Sequence, residues 1–107
     1  MSEQAMVVLS TAPDEDTAAR LAGLLVEGRL AACVNIVPGT RSVFRWEGKV
    51  QNEPEVLLIC KTDAHHLERL TETLLREHPY DCPEVVALPV GGGAPEYLGW
   101  IARTLAE

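Results

Sequence analysis

The chain has 107 residues, the usual size of one domain, and its 47% hydrophobic and 23% charged residues are typical of a globular protein. A formal net charge of −7 argues against nucleic acid as a partner, and no apolar run is long enough to cross a membrane. The length predicts a single domain, residues 1–107. Because the N-terminus lacks the basic start of a signal peptide, we expect the protein in the cytoplasm.

The first half of the chain predicts a strand, a helix and a second strand. Residues 6–9 are a short apolar run. Asp14 can cap a helix whose apolar residues follow helical spacing and which Gly28 can end. Residues 32–37 predict the second strand, with a break at Pro38 and Gly39, after which residues 42–46 return to strand periodicity.

The second half predicts a hairpin, a third strand, a helix and a fourth strand. Glu47 and Gly48 suit a hairpin turn, and residues 52–54 interrupt the returning strand before a third strand at residues 56–60. Asp63 opens a second helix, which ends at Pro79, and residues 85–90 form the fourth strand. Pro95 starts a last helix. This β-α-β-β-α-β order plus a C-terminal helix predicts an α+β, ferredoxin-like split βαβ fold.

The predicted strands carry apolar residues at successive positions, and not only at every second position. Residues 6–9, 56–60 and 85–88 carry apolar side chains on consecutive positions, as expected for strands that are buried on both faces. Two helices cover only one face of such a sheet, and a large bare apolar face would aggregate. The sequence therefore predicts an obligate homo-oligomer in which another subunit covers the second face.

The segment HPYDCPE at residues 78–84 has two interpretations, a rigid connector whose tyrosine is half buried, which we prefer, and a functional loop. Two prolines stiffen it, and its histidine and carboxylates can bind cations. His78 has two interpretations of similar weight, a capping histidine at a helix end and a metal ligand to which Glu77 or Asp81 adds oxygen. His65 and His66 are adjacent in a predicted helix, where side chains point about 100° apart, so we expect solvated rings rather than a chelating pair.

Each of the remaining polar candidates also has an interpretation as a purely structural residue. Lys61 interrupts an apolar strand and is expected to pair with a carboxylate such as Glu55 or Glu84, with an anion-binding role as the alternative. Three widely spaced cysteines argue against a disulfide framework or a structural zinc site. Of the three, Cys82 is expected to be accessible, whereas Cys33 and Cys60 are expected to be buried. No nucleophile and base can be paired, so we do not expect an enzyme.

Several motifs taken together resemble one known family over nearly the whole chain. They are Thr11-Ala12-Pro13, Ala31-Ala32-Cys33-Val34-Asn35, Trp46-Glu47-Gly48-Lys49, Glu55, Lys61-Thr62, His78-Pro79-Tyr80, Pro83-Glu84 and Tyr97-Leu98-Gly99-Trp100-Ile101. In this combination the sequence resembles the CutA divalent-cation tolerance proteins. The resemblance implies a ferredoxin-like subunit, a tight homotrimer similar to the nitrogen-regulatory PII proteins, a cytoplasmic location and a link to tolerance of copper and other divalent cations.

The resemblance also implies two candidate sites. The family's copper pattern places a cysteine before Thr-Ala-Pro and a His-His pair before Pro-Tyr, and the matching positions here are Ser10, Glu77 and His78. With one soft ligand left, we expect weak binding of Cu(II) or another divalent cation. The alternative function is a PII-like trimer with small-ligand clefts between subunits, and the residues expected to line such a cleft are Lys61, Glu55, Trp46, Tyr80 and Trp100.

Overall fold

The computed structural model describes residues 4–106 and contains four strands and three helices within that range. The elements in chain order are β1 (Ala5–Ala12), α1 (Glu15–Glu27), β2 (Cys33–Trp46), β3 (Lys49–Asp63), α2 (Leu67–Glu77), β4 (Val86–Pro89) and α3 (Pro95–Ala106). This is the predicted β-α-β-β-α-β order with a C-terminal helix. The α+β fold predicted from the sequence is confirmed.

The four strands form one antiparallel sheet in the order β2-β3-β1-β4. The central pair is β1 and β3, in which Val8 lies opposite Cys60 and Ser10 lies opposite Leu58. The two outer strands differ greatly in length, since β2 has 14 residues and β4 has only four. This topology places the C-terminal end of β1 beside the middle of β3, next to the loop that follows α2.

The hairpin between β2 and β3 is longer and more continuous than the sequence predicts. Pro38 and Gly39 do not end β2 but form an irregularity, where the register with β3 shifts between Val37 and Thr40. Likewise residues 52–54 do not interrupt β3, because Pro54 pairs opposite Arg41 within the ladder. Proline is tolerated here because it can occupy a position whose N–H does not enter the ladder and because a bulge absorbs an extra residue.

The β2–β3 hairpin turn and the two caps of α1 follow from the local residue types. Glu47 and Gly48 have φ angles of 49° and 79°, so both central residues of the predicted hairpin turn are left-handed. Asp14 caps α1 as predicted, since its Oδ1 accepts the Thr17 N–H at 2.7 Å. That hydrogen bond from Thr17 lowers the pKa of Asp14. At the other end Gly28 is the C-cap, but the left-handed residue is Arg29, with a φ of 56°.

The core lies between the sheet and helices α1 and α2. Fully buried side chains from both helices, including Leu25, Leu70 and Leu74, pack against Leu58 and Cys60 of β3. A second, smaller cluster joins α3 to the segment before β2 and consists of Ala32, Ile101 and Leu105, with Leu98 against it. Helix α3 is therefore packed through this smaller cluster and is not part of the main core.

The opposite face of the sheet is apolar and only partly covered. The residues of β3 that alternate with its buried ones, such as Leu57 and Ile59, are only partly buried. On β4, Val86 and Leu88 lie opposite Leu9 and Val7 and are 48% and 47% exposed. We call this surface the open face. In residues 4–106, none of the helices has the length and apolarity needed to span a membrane.

Candidate functional site

His78 is a buried structural residue at the point where α2 ends. The residue is 8% exposed, its Nε2 lies 2.7 Å from the Thr11 carbonyl oxygen, and its Nδ1 accepts the Tyr80 backbone N–H at 3.1 Å. Because the carbonyl can only accept and the amide can only donate, Nε2 carries the proton and Nδ1 carries the lone pair. Both ring nitrogens are therefore already engaged, with β1 and with the loop rather than with a free carbonyl of α2, and no lone pair is left for a metal ion.

Glu77 and Ser10, the other two predicted metal ligands, have separate surroundings. The Glu77 carboxylate lies 3.5 Å from Arg20 Nη1 and 3.3 Å from Arg76 Nε, and Arg20 also donates to the Glu77 carbonyl at 2.9 Å. Ser10 is fully buried on the helix side of the sheet, and its Oγ has no hydrogen-bond partner among the described residues.

The predicted metal residues are neighbours but do not form a ligand set. The end of β1 and the end of α2 do meet, as predicted, because His78 bonds to Thr11, which adjoins Ser10. However, no group of three or more histidine, cysteine, aspartate or glutamate side chains in residues 4–106 is arranged to hold a metal ion. Chelation by Ser10, Glu77 and His78 together would require the His78 hydrogen bonds to break.

A groove of about 980 Å³ lies between the β2–β3 hairpin and the loop at residues 78–84 that follows α2. Its defining contact is a 2.6 Å hydrogen bond from the Tyr80 hydroxyl to Glu55 Oε2. Burial raises the pKa of Tyr80, and the hydrogen bond and negative charge of Glu55 raise it further, so the phenol remains a donor. The groove is lined by aromatic, acidic and small residues: Thr11, Pro13, Ser42, Val43, Phe44, Trp46, Gln51, Glu53, Pro54, Glu55, Tyr80, Asp81, Cys82 and Glu84.

Lys61 and Trp100 lie far from this groove on the same chain. Lys61 is six residues beyond Glu55 on β3, which corresponds to roughly 20 Å along an extended strand. Its Nζ donates to Asn35 Oδ1 at 2.5 Å and lies 5.9 Å from the centroid of the Tyr97 ring, which in turn contacts Trp100 at 5.6 Å. The predicted ion pair of Lys61 with Glu55 or Glu84 is therefore wrong, because a neutral amide and an aromatic face surround the ammonium group.

The three cysteines differ in exposure, and all are free thiols. Cys82 is exposed and Cys60 is fully buried, as predicted, whereas Cys33 is only half-buried. Burial raises the pKa of Cys60 to about 12, so its thiol stays neutral. Cys82 lines the groove.

Comparison with known proteins gives a consistent family assignment. The family model for the CutA1 divalent ion tolerance protein matches residues 6–104. The chain belongs to the CutA family. A divalent-cation tolerance protein CutA from Pectobacterium atrosepticum is 48% identical over 101 residues, which are 94% of this chain and 92% of the relative. The CutA protein from Thermus thermophilus is 52% identical over 95 residues, which are 89% of this chain and 92% of the relative.

Solved CutA structures agree with the fold. The crystal structure of CutA1 from Oryza sativa superimposes with a TM-score of 0.93 at 48% identity and covers 96% of this chain and 94% of that one. Relatives carry different compartment names, since a rice CutA protein, of which this chain covers 58%, is called chloroplastic and the Archaeoglobus fulgidus CutA structure is called periplasmic. Cytoplasmic location therefore stays a prediction.

The CutA subunit brings together only part of what the sequence suggests. Trp46, Glu55 and Tyr80 meet in the groove, while Lys61 and Trp100 form a second group at the other end of β3. Sequence reasoning missed Asn35 as the partner of Lys61. The sequence carries no clear signal for this contact, because the register shift between Val37 and Thr40 changes which residues of β2 share a face with Lys61.

Proposed function

We propose that this CutA chain is a divalent-cation tolerance protein that acts as a cytoplasmic homotrimer and binds Cu(II) or another divalent cation weakly. The observation that carries the proposal is the family match over residues 6–104. Two relatives that are named for this function are 48% and 52% identical to the chain. Binding rather than catalysis is the proposed activity, because the sequence offers no nucleophile paired with a base.

The open face supports the assembly part of the proposal. Apolar side chains from three neighbouring strands lie together on it, among them Leu9, Leu57 and Val86. Exposed apolar residues also continue onto the hairpin, where Phe44 and Trp46 are 41% and 44% exposed. Burial of such a surface is worth about 25 cal/mol for each Å² removed from water, and association with further copies of the chain would supply that burial.

Weak rather than tight cation binding follows from the geometry of the family's copper positions. His78 has both ring nitrogens in hydrogen bonds, Glu77 pairs with two arginines, and Ser10 supplies a hydroxyl in place of a thiolate. A hydroxyl is a poor ligand for a soft or borderline ion. We therefore expect any Cu(II) bound by the protein to exchange readily.

Growth under copper stress tests the tolerance function directly. A bacterium whose own CutA gene has been deleted would carry either an empty vector or a vector that expresses this chain. With raised Cu(II) in the medium, the chain should restore growth, whereas without added copper the two strains should grow equally. Failure of a well-expressed, folded protein to restore growth would argue against tolerance as its function.

A small-ligand trimer is the second candidate, and the groove favours it. The groove is large enough for a small organic molecule and has aromatic and polar walls. Because Lys61 and Trp100 lie at the far end of β3, a cleft that contains all five predicted residues requires two subunits. Lys61→Met should then abolish retention of an organic ligand in native mass spectrometry, while Lys49→Met, at the exposed hairpin turn, should retain it. Equal behaviour of both variants would count against the cleft.

A further inference from the structure

The turn before α2 contains a histidine held by a carboxylate. His66 Nδ1 lies 2.7 Å from Asp63 Oδ1, and the same oxygen accepts the His66 backbone N–H at 2.9 Å. Asp63 is 6% and His66 is 9% exposed, so the pair is largely shielded from water. Two hydrogen bonds to one buried carboxylate fix both the backbone and the ring orientation of His66.

This hydrogen bond determines which nitrogen of His66 is available. An ionised carboxylate only accepts hydrogen bonds, so Nδ1 carries the proton and the lone pair of the neutral ring lies on Nε2. Among the described residues, none forms a hydrogen bond with Nε2, and this atom is not fully enclosed by the protein. A carboxylate that binds one imidazole nitrogen and leaves the other without a protein partner is the arrangement that orients metal-ligating histidines in proteins.

His65 brings a second imidazole to the same place. Its exposed ring lies with its centroid 5.0 Å from that of His66, at an interplanar angle of 87°. The expectation that both rings are solvated is wrong for His66, and the two rings lie close together because residues 64–66 form a turn and α2 begins only at Leu67. Two imidazoles that bind one ion through bonds of about 2.0 Å have centroids on the order of 4.5–5 Å apart, so this spacing allows a shared ion once the exposed His65 ring turns a nitrogen toward His66 Nε2.

We propose that His65 and His66 form an open, two-imidazole site for Cu(II), with Asp63 as the residue that orients His66. The inference deepens the proposed function, on which it rests, by locating the cation away from the family's copper positions. Imidazole suits copper, and Cu(II) binds most tightly among the first-row divalent ions at such ligands. The carboxylates of Asp63 and Glu68 offset the positive end of α2. Two protein ligands leave the other coordination positions to water, so the site is labile.

Paramagnetic broadening on the unmodified protein gives the first test. Histidine ring signals would be assigned by NMR and followed while Cu(II) is added below one equivalent per chain in a weakly coordinating buffer. The His65 and His66 signals should broaden first and together, while the His78 signal, from a buried ring with both nitrogens bonded, should persist. Earlier broadening of His78, or broadening of His65 alone, would overturn the proposal.

Titration calorimetry with Cu(II) gives the second test, with circular dichroism to verify the fold of each variant. His65→Gln and His66→Gln should each weaken binding at least tenfold. Asp63→Asn keeps an oxygen for the turn and should weaken it 10- to 100-fold, as is common for residues behind a metal ligand. Wild-type affinity in a folded His65→Gln/His66→Gln variant would refute this site but leave cation binding by the protein intact. No Cu(II) binding by the wild type would refute both.

Discussion

Replacement of His78 separates a structural role from a metal-binding one. His78→Ala removes the partners of the Thr11 carbonyl and the Tyr80 N–H and leaves a gap beside the Tyr80 ring, whose centroid lies 4.6 Å from that of His78. A buried backbone group without a partner costs about 1–3 kcal/mol, and Thr11 is buried. Two such groups, one of them near the surface, predict a loss of about 3 kcal/mol in the free energy of unfolding.

Urea unfolding at fixed protein concentration measures this loss. With an m-value of about 2 kcal/mol/M, the urea midpoint of His78→Ala should fall by about 1.5 M. His78→Gln can still donate to the Thr11 carbonyl and should lose less than His78→Ala. The matched control is His65→Ala, an exposed histidine whose loss should change the free energy of unfolding by less than about 0.5 kcal/mol. A midpoint of His78→Ala within error of the wild type would refute the structural role, as would loss of Cu(II) binding in a folded variant.

Three further predictions concern the groove, the thiols and the hairpin turn. Tyr80→Phe removes the hydrogen bond to Glu55 and should cost about 1 kcal/mol at pH 7. Because the folded state raises the pKa of Tyr80, the unfolded chain ionises first above pH ~10, so the stability gap between the wild type and Tyr80→Phe should narrow there in urea titrations. At pH 8 a thiol reagent should modify Cys82 quickly and Cys60 only in denaturant, and early reaction of Cys60 would contradict its burial. Glu47→Asn suits the left-handed φ of 49° and should stabilise the protein by about 0.5 kcal/mol in the same urea assay, whereas a loss of stability would contradict a left-handed backbone at residue 47.

Element order and type were predictable because apolar periodicity and capping residues agree with the final fold. Asp14 caps α1 and Glu47-Gly48 forms the hairpin turn as the sequence suggests. The length of the hairpin was not predictable, because Pro38 and Pro54 are strong signals for a break. Whether a proline breaks a strand depends on which way its missing N–H would point, and that follows only from the pairing register.

The site was less predictable than the fold because side-chain partners depend on register and on exact helix starts. Lys61 needs a partner, but only the pairing of β2 with β3 shows that Asn35 supplies it. His65 and His66 were placed in a helix, and a start of α2 at Leu67 instead of Asp63 changes their rings from divergent to adjacent. The combined motifs identified the CutA family, which none of these single residues or contacts identifies.

Native mass spectrometry of the purified chain, after addition of one equivalent of Cu(II) per chain, is the decisive measurement for a copper-binding trimer, because one spectrum gives both the assembly and the bound ligand. We expect the mass of three 11.7 kDa chains, with copper that a competing chelator readily removes. A mass of one chain would contradict the trimer that the open face is proposed to form. A trimer that carries an organic molecule and takes up no copper would contradict the cation function and favour the small-ligand alternative.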